Sequence, residues 1–358
     1  ELELSNTQAG ILFSATLIGY VLCSLLIVPL TDRMSSKHIL IGAGILSIVS
    51  HLLFPIFSGS ISNAIFLRIL CGFGFAGIYV PGSRLISTRF SGGGRGTALG
   101  LFVTAQYLAN SVSLMITGAA MIAFEWRHAY LLVAIISIAG LPLAYTLLRR
   151  DRHNLPTQSS GKINFRVLKN SPVRYLIAGY SLHAIQLHSV RVWLPYFLLS
   201  ILLANGTDNK QAVSTAASIA GLSMTLGSIG PLMGGMLSDK WGRAKSASAI
   251  FALSGVCSWT IGWIGGLPWI LIVILTVVYG WSISADSAIY TTGVTEVTIP
   301  SQLGSAMGLH ASLGLLGGSI GPVAFGGILD KFTGTFQWGI AFSTLGVMSF
   351  VAIATMYR

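Results

Sequence analysis

The stretch GGMLSDKWGRAKS, residues 234–246, brings Asp239, Lys240, Arg243 and Lys245 together in a chain of 358 residues of which only 9% are charged. It lies between two long apolar runs, and that setting recurs along the whole chain. Apolar types make up 53% of the residues, glycine occurs 42 times, and the mean hydropathy is +0.77. Such a chain is too apolar for a soluble surface and reads as an integral membrane protein. The formal charge of +11 does not indicate a nucleic-acid partner, because the basic residues fall in gaps between apolar runs instead of clustering on a hydrated face. Cys23, Cys71 and Cys257 sit far apart inside apolar segments, without metal-ligand spacing. Their odd number argues against a disulfide framework, and they read as small packing residues. The opening ELELSNTQAG has no basic region of a secretory signal.

A membrane crossing needs roughly 17–25 mostly apolar residues. By that rule spans are predicted at 9–30, 38–57, 63–87, 97–123, 128–148, 174–203, 211–237, 246–265, 267–293, 304–329 and 336–357. Continuous apolar runs of this length satisfy their backbones as helices, not as barrel strands of alternating pattern. The fold class is therefore an all-α polytopic membrane protein. With the first residues outside, only Arg127, Lys210 and Lys331 of the 21 basic residues face outward, and Arg68 and Arg191 lie within spans. All the others fall inside, which sets the linker and the C-terminus on the cytoplasmic side of an inner or plasma membrane.

The longest polar segment, RRDRHNLPTQSSGKINFRVLKNSPVR at 149–174, has the composition of a flexible cytoplasmic linker, with a short interfacial helix expected at INFRVLKN. It divides the chain into a bundle at 1–148, a linker at 149–173 and a second bundle at 174–358. Asp32 in PLTDRMSSK and Asp239 in MLSDKWGRAK lie 207 residues apart, and Gly96, Ala98 and Gly100 match Gly304, Ala306 and Gly308 at an offset of 208. Two copies of one bundle in the same orientation are expected. The offset places the partner of the span at 174–203 before residue 1, so eleven of twelve helices are expected here.

GMLSDKWGRAK at 235–245 resembles the loop signature G-x-L-a-D-r-x-G-r-k of the major facilitator superfamily, through Gly235, Leu237, Asp239, Lys240, Gly242 and Arg243. The copy VPLTDRMSSK at 28–37 keeps Leu30, Asp32, Arg33 and Lys37 but has Val28, Ser35 and Ser36 where that family usually has Gly, Gly and Arg. RILCGFGFAG at 68–77 is similar to its fourth-helix pattern R-x-x-x-G-x-G, through Arg68, Gly72 and Gly74. The resemblance implies two six-helix bundles in parallel repeat, eleven of twelve helices present, moving a solute by rocking. It also implies that Asp32, Arg33, Asp239, Lys240, Gly242 and Arg243 form a conformational latch that takes no part in recognising substrate. Independently, an aspartate near a helix end can accept hydrogen bonds from the next helix and pair with basic neighbours.

Ionisable groups inside the membrane are expensive and usually face a polar cavity. Arg68 lies about four residues into its predicted span, on one face with Gly72, Phe75 and Tyr79; snorkelling to the headgroups is the alternative. YSLHAIQLHSVRVWLPYF carries His183, Gln186, His188 and Arg191. His188 and Arg191 share a face, and Gln186 lies nearer that of His183. The resemblance places this helix against the central cavity, which makes Arg191 the expected anion-pairing residue, since a guanidinium donates two parallel hydrogen bonds to a carboxylate. Gln106 and Asn110, one turn apart, are further expected substrate contacts. Asp286 in YGWSISADSAIY is the only acid interior to a span; with His183 and Arg68 it is a candidate for proton coupling. GSIGPLMGG at 227–235 and GGSIGPVAFGG at 317–327 combine close helix approach with a backbone-loosening proline.

These features point to a secondary transporter of a small, anionic solute by alternating access, with a proton as a coupling ion. The alternatives are an efflux transporter of drug-like molecules and a non-transporting sensor on the same scaffold. There is no P-loop, H-E-x-x-H or G-x-S-x-G constellation, so neither ATP drive nor enzyme chemistry is expected. No cofactor or metal is expected, and the partners are a small-molecule substrate and the lipid bilayer, with the protein as a monomer.

Overall fold

The computed structural model describes residues 3–31, 34–89, 94–148, 164–299, 302–334 and 336–357. The helices are α1 (Asn6–Thr31), α2 (Ser36–Phe57), α3 (Ile61–Arg89), α4 (Gly94–Ala123), α5 (Trp126–Ile138), α6 (Gly140–Leu148), a 3-10 helix (Phe165–Lys169), α7 (Ser171–Ala204), α8 (Asn209–Gly227), α9 (Gly230–Trp241), α10 (Arg243–Ile261), α11 (Trp269–Ala285), α12 (Ser287–Val297), α13 (Leu303–Lys331) and α14 (Gln337–Thr355). The described residues contain no strand. Nine helices or joined pairs of helices among them are long and apolar enough to cross a membrane.

Each predicted span coincides with a helix or with a pair of helices in line, and the differences are local. Three spans are interrupted, at Ala139, at Ser228–Ile229 and at Asp286. The second pieces of the first two carry Pro142 and Pro231 near their starts, where a missing N–H costs no helical bond. The third break has no proline. Hydropathy summed over a span cannot register an interruption of one or two residues. The span predicted at 246–265 is shorter than expected because α10 ends at Ile261, ahead of the Gly262, Gly265 and Gly266 turn. The expected interfacial helix is the 3-10 helix: the Asn164 side chain accepts from the Arg166 N–H at its start, and Val167 is buried with Leu309. The rest of the linker, 149–163, and the latch residues Asp32 and Arg33 lie outside the described residues.

Contacts divide the chain into two units, Glu1–Glu3 with Leu12–Gln106 and Ala123–Lys162, and Leu4–Ile11 with Tyr107–Ile122 and Ile163–Arg358. A cut at residue 148 would have kept Leu4–Ile11 and Tyr107–Ile122 in the first unit. In the first unit α2 packs on α3 and α5, around Phe54, Ala64 and Leu67. In the second, α7 is the central helix and packs on α13, α14 and α8. Its Trp193, Leu194, Phe197 and Leu198 meet Phe325, Phe342 and Tyr279 in one core. The buried Trp193 indole donates to the Pro322 carbonyl at 3.0 Å, which satisfies the one polar group of that side chain. The end of α13 holds the start of α1: Asp330 accepts from the backbone N–H and side chain of both Asn6 and Thr7, at 2.6–2.9 Å.

The bend between α8 and α9 packs against the bend between α11 and α12. The Ser284 hydroxyl donates to the Gly227 carbonyl at 2.7 Å, and a Cβ at Gly234 would overlap the Ala285 carbonyl. The small residues of the 227–235 motif thus serve backbone-to-backbone approach. Gly234→Ala is expected to cost about 1–3 kcal/mol through overpacking; a thermal-unfolding midpoint equal to that of the parent, measured in the same detergent, would contradict it.

Candidate substrate and coupling site

Three groups of polar side chains stand within the helices or at their ends. The first surrounds Arg191 on α7. Its guanidinium lies over the Tyr107 ring of α4, 4.6 Å from the ring centre, and no carboxylate among the described residues pairs with it. A cavity opens beside this pair, lined by Leu187, Val190 and Leu194 of α7, Ser223 and Met224 of α8, and Gly280, Ile283 and Ser284 of α11. Its free volume is about 20 Å³, room for about one water molecule. An arginine at mid-membrane costs about 2.5–3.5 kcal/mol on insertion scales, and a desolvated cation–π contact recovers about 2 kcal/mol. The remaining deficit makes the site attractive to an anion.

The second group lies two turns nearer the start of α7. His183 Nδ1 stands 2.8 Å from Asp286 Oδ1, and both side chains are only 2% exposed. The contact has ion-pair distance but not hydrogen-bond alignment, since that oxygen has no hydrogen-bond partner. Asp286 sits at the break between α11 and α12, where its carbonyl accepts from the Ile289 N–H at 2.9 Å. Tyr180 stacks with His183 at 5.5 Å and with His310 of α13 at 3.9 Å, and His310 Nε2 is 3.4 Å from the Thr291 hydroxyl of α12.

The other residues expected at the site are distributed differently. Gln186 donates to the Ser258 hydroxyl at 2.8 Å, and Ser258 in turn meets the Tyr279 hydroxyl. This buried amide ties α7 to α10 and α11 and lies off the cavity: the side chain one position from Leu187 turns to the neighbouring helix. His188 is buried, and its ring fills the space a side chain at Gly318 would need. Gln106 is half-buried and Asn110 exposed on α4.

Arg68 belongs to the first unit. Because α3 starts at Ile61, it lies about 10 Å into the helix, deeper than expected. Its guanidinium covers the rings of Phe54 at 4.5 Å and Tyr130 at 5.6 Å, while Phe75 and Tyr79 turn to Tyr20. On the neighbouring turn, Cys71 Sγ contacts the His51 ring at 3.6–3.7 Å.

The third group is the charged loop. Gly242 has φ +84°, a conformation that favours glycine, and so turns α9 into α10. Arg243 then reaches in two directions. Its Nη1 donates to Asp239 at 2.7 Å and to the Ser238 hydroxyl, and its Nε and Nη2 donate to both Glu296 oxygens, at 3.2 and 2.7 Å. Glu296 first, then Asp239, raises the Arg243 pKa further above its ordinary value. Lys240 is exposed. Glu296, Tyr107, Tyr180 and His310 were missed in the sequence. A histidine in an apolar, glycine-rich span was a readable signal for His310, but a glutamate 53 residues from its arginine left none.

An α-helical membrane protein with buried charges beside a cavity has the features expected of a transport protein, and comparison with known families agrees. The Major Facilitator Superfamily profile matches residues 1–265 and 193–358, and this chain belongs to that superfamily. It is 24% identical to the hexuronate transporter of Bacillus subtilis (strain 168), covering 98% of this chain and 87% of that protein. It is also 24% identical to the probable galactarate/D-glucarate transporter GudP of Escherichia coli (strain K12), covering 99% and 85%. The solved structure of the nucleoside transporter NupG superposes with a TM-score of 0.78 at 14% identity, over 99% of this chain and 91% of that one. The protein is a multi-pass membrane transporter and not an enzyme.

A double-mutant cycle of Arg243→Gln and Glu296→Gln should show a coupling of about 1 kcal/mol that weakens in high salt, read from thermal stability in lipid nanodiscs. Strictly additive effects at both salt concentrations would show that the bidentate pair contributes nothing.

Proposed function

We propose that this protein carries a small sugar-acid anion across an inner or plasma membrane by alternating access, coupled to a proton. The observation that carries the reading is the Arg191 guanidinium, which borders a cavity with an aromatic ring as partner and, among the described residues, no carboxylate. A guanidinium pairs with a planar carboxylate through two parallel hydrogen bonds. The names of the two relatives, hexuronate and galactarate/D-glucarate transporters, support the same chemistry. In the conformation described, the cavity holds about one water, so a sugar acid enters only when the helices around it separate.

Arg191 is the primary substrate contact in this reading, with Tyr107 beside it and His188 and Asn110 as further contacts in the same unit; Gln106 and Arg68 are the substrate-contact candidates of the first unit. His183 and Asp286 bind the coupling proton: a buried carboxylate beside an imidazole can gain a proton without leaving an isolated charge in the membrane. Asp239, Lys240, Gly242 and Arg243, joined by Glu296, act as the latch of one access state. The distribution of Lys and Arg supports a cytoplasmic linker and C-terminus.

In proteoliposomes with an imposed inward proton gradient, labelled galactarate or D-galacturonate is expected to accumulate. Arg191→Gln should weaken binding by at least about 2 kcal/mol, roughly thirtyfold, with partial retention in Arg191→Lys. Binding of neutral or cationic solutes only, unchanged by Arg191→Gln, would overturn the anion reading. Accumulation of the anion that ignores the gradient would overturn the coupling alone.

A further inference from the structure

We propose that His310 is a second proton-binding group and that the ring of Tyr180, shared with His183, holds the two imidazoles as a pair that carries one proton at a time. The proposal rests on the coupling role proposed above for His183 and Asp286, and extends it to a residue on a different helix.

His310 is 3% exposed in a glycine-rich helix whose other buried residues near it, Ala306 and Leu309, are apolar. A leucine or phenylalanine would fill such a place without burying polar atoms. Its Nε2 is turned to Thr291, while its Nδ1 is buried with no hydrogen-bond partner. That nitrogen can accept a proton. The Tyr180 ring lies against both imidazoles at the same 26° inclination, 3.9 Å from His310 and 5.5 Å from His183. An imidazolium formed on either histidine would lie within cation–π reach of the same ring.

The surroundings limit the pair to one charge. On α7 the facing titratable groups are Tyr180, His183 and, against Gly318, His188; on the α11–α12 junction, Asp286; and on α12, Tyr290, whose ring is 6.3 Å from that of Tyr180. The 3-10 helix turns Val167 toward α13 and leaves Arg166 and Lys169 exposed, and α14 has no ionisable residue along its length. Among the described residues Asp286 is the carboxylate that faces these imidazoles, and it stands beside His183. A second positive charge within about 9 Å, unpaired, would cost on the order of one pH unit of proton affinity.

The two sites also lie at different depths. Helices α7 and α13 both start on the linker side of the second unit, and a rise of 1.5 Å per residue puts His183 about 18 Å in and His310 about 10 Å in, with Tyr180 at about 14 Å. A proton on His183 leaves its ring nitrogen for a water molecule, and the resulting hydronium gives it to Nδ1 of His310, whose lone pair forms the new N–H bond. The water is regenerated, and neutral His183 remains beside the Asp286 carboxylate. The displacement is toward the linker side, which is the direction a coupled proton must travel to leave there.

Histidine-15N-labelled protein in lipid nanodiscs tests proton binding without a substrate. The His310 resonance, assigned by its loss in His310→Gln, should titrate, and His183→Gln should raise its midpoint by about one pH unit. A His310 that remains neutral over the whole titration, or a midpoint unmoved by His183→Gln, would overturn the proposal. Transport gives the second readout, as the ratio of gradient-driven galactarate accumulation to galactarate exchange without a gradient. This ratio should fall about tenfold in His310→Gln and Tyr180→Leu and recover in Tyr180→Phe, which keeps the ring. Normal accumulation in Asp286→Asn overturns the coupling reading itself. Lost accumulation in Asp286→Asn with normal accumulation in His310→Gln overturns this proposal alone.

Discussion

A positive charge in a membrane must be matched by something, and in this protein the match at Arg191 is an aromatic ring. The Tyr107 face, 4.6 Å from the guanidinium, offsets part of the desolvation cost and offers no hydrogen-bond acceptor in the plane of the fork. The chain therefore holds a charge that it stabilises incompletely and that borders a cavity. A carboxylate from the protein at that place would have neutralised the charge, and a leucine would have removed it. The rest of the second unit is arranged around keeping α7 in position to present this residue.

That positioning is mechanical. The aromatic cluster of Trp193, Phe197, Phe325 and Phe342 fixes one half of α7 against α13 and α14, and the Trp193 N–H donates to the Pro322 carbonyl of α13. Gln186 fixes the middle of the helix against α10 and α11. On the next turn back, still buried, His183 and Asp286 meet at a break in the helical ladder, and the α8–α9 bend opposite is broken too. Interrupted helices at the depth of buried ionisable groups suit a site that must change its partners, because the local backbone has fewer bonds to lose.

The two ends of the second unit are tied by different chemistry. On the loop side, Arg243 bridges Asp239 and Glu296 with a bidentate geometry, half in solvent. At the other end Asp330 caps the start of α1 through four hydrogen bonds. Both use a carboxylate near a helix end, where orphan backbone groups and the macrodipole are available. Both are exposed enough that water competes for each partner, so they can form and release at modest cost. Tight packing holds the interior, while replaceable polar contacts hold the ends.

Composition and hydropathy determined that this chain is a helical membrane protein, and apolar run length placed each predicted span on a helix or helix pair to within a few residues, nine of them, among the described residues, long and apolar enough to cross a membrane. These are local quantities: lipid forces each backbone segment to satisfy itself, so a span can be recognised without knowing its neighbours. The loop motif and the 207-residue offset of Asp32 and Asp239 determined the family, and the rarity of charge in the spans pointed to Arg68, His183, Arg191 and Asp286. Which of these act together was decided by tertiary packing alone. The sequence grouped Gln186 with its helix neighbours, but the fold turned it to Ser258. It left Asp286 without a partner, and a contact across 103 positions joined it to His183. Tyr107, His310 and Glu296 acquired their roles only when α4, α13 and α12 were brought beside α7 and α10, because an interaction between side chains on separate helices depends on distance and orientation, which no spacing along one chain contains.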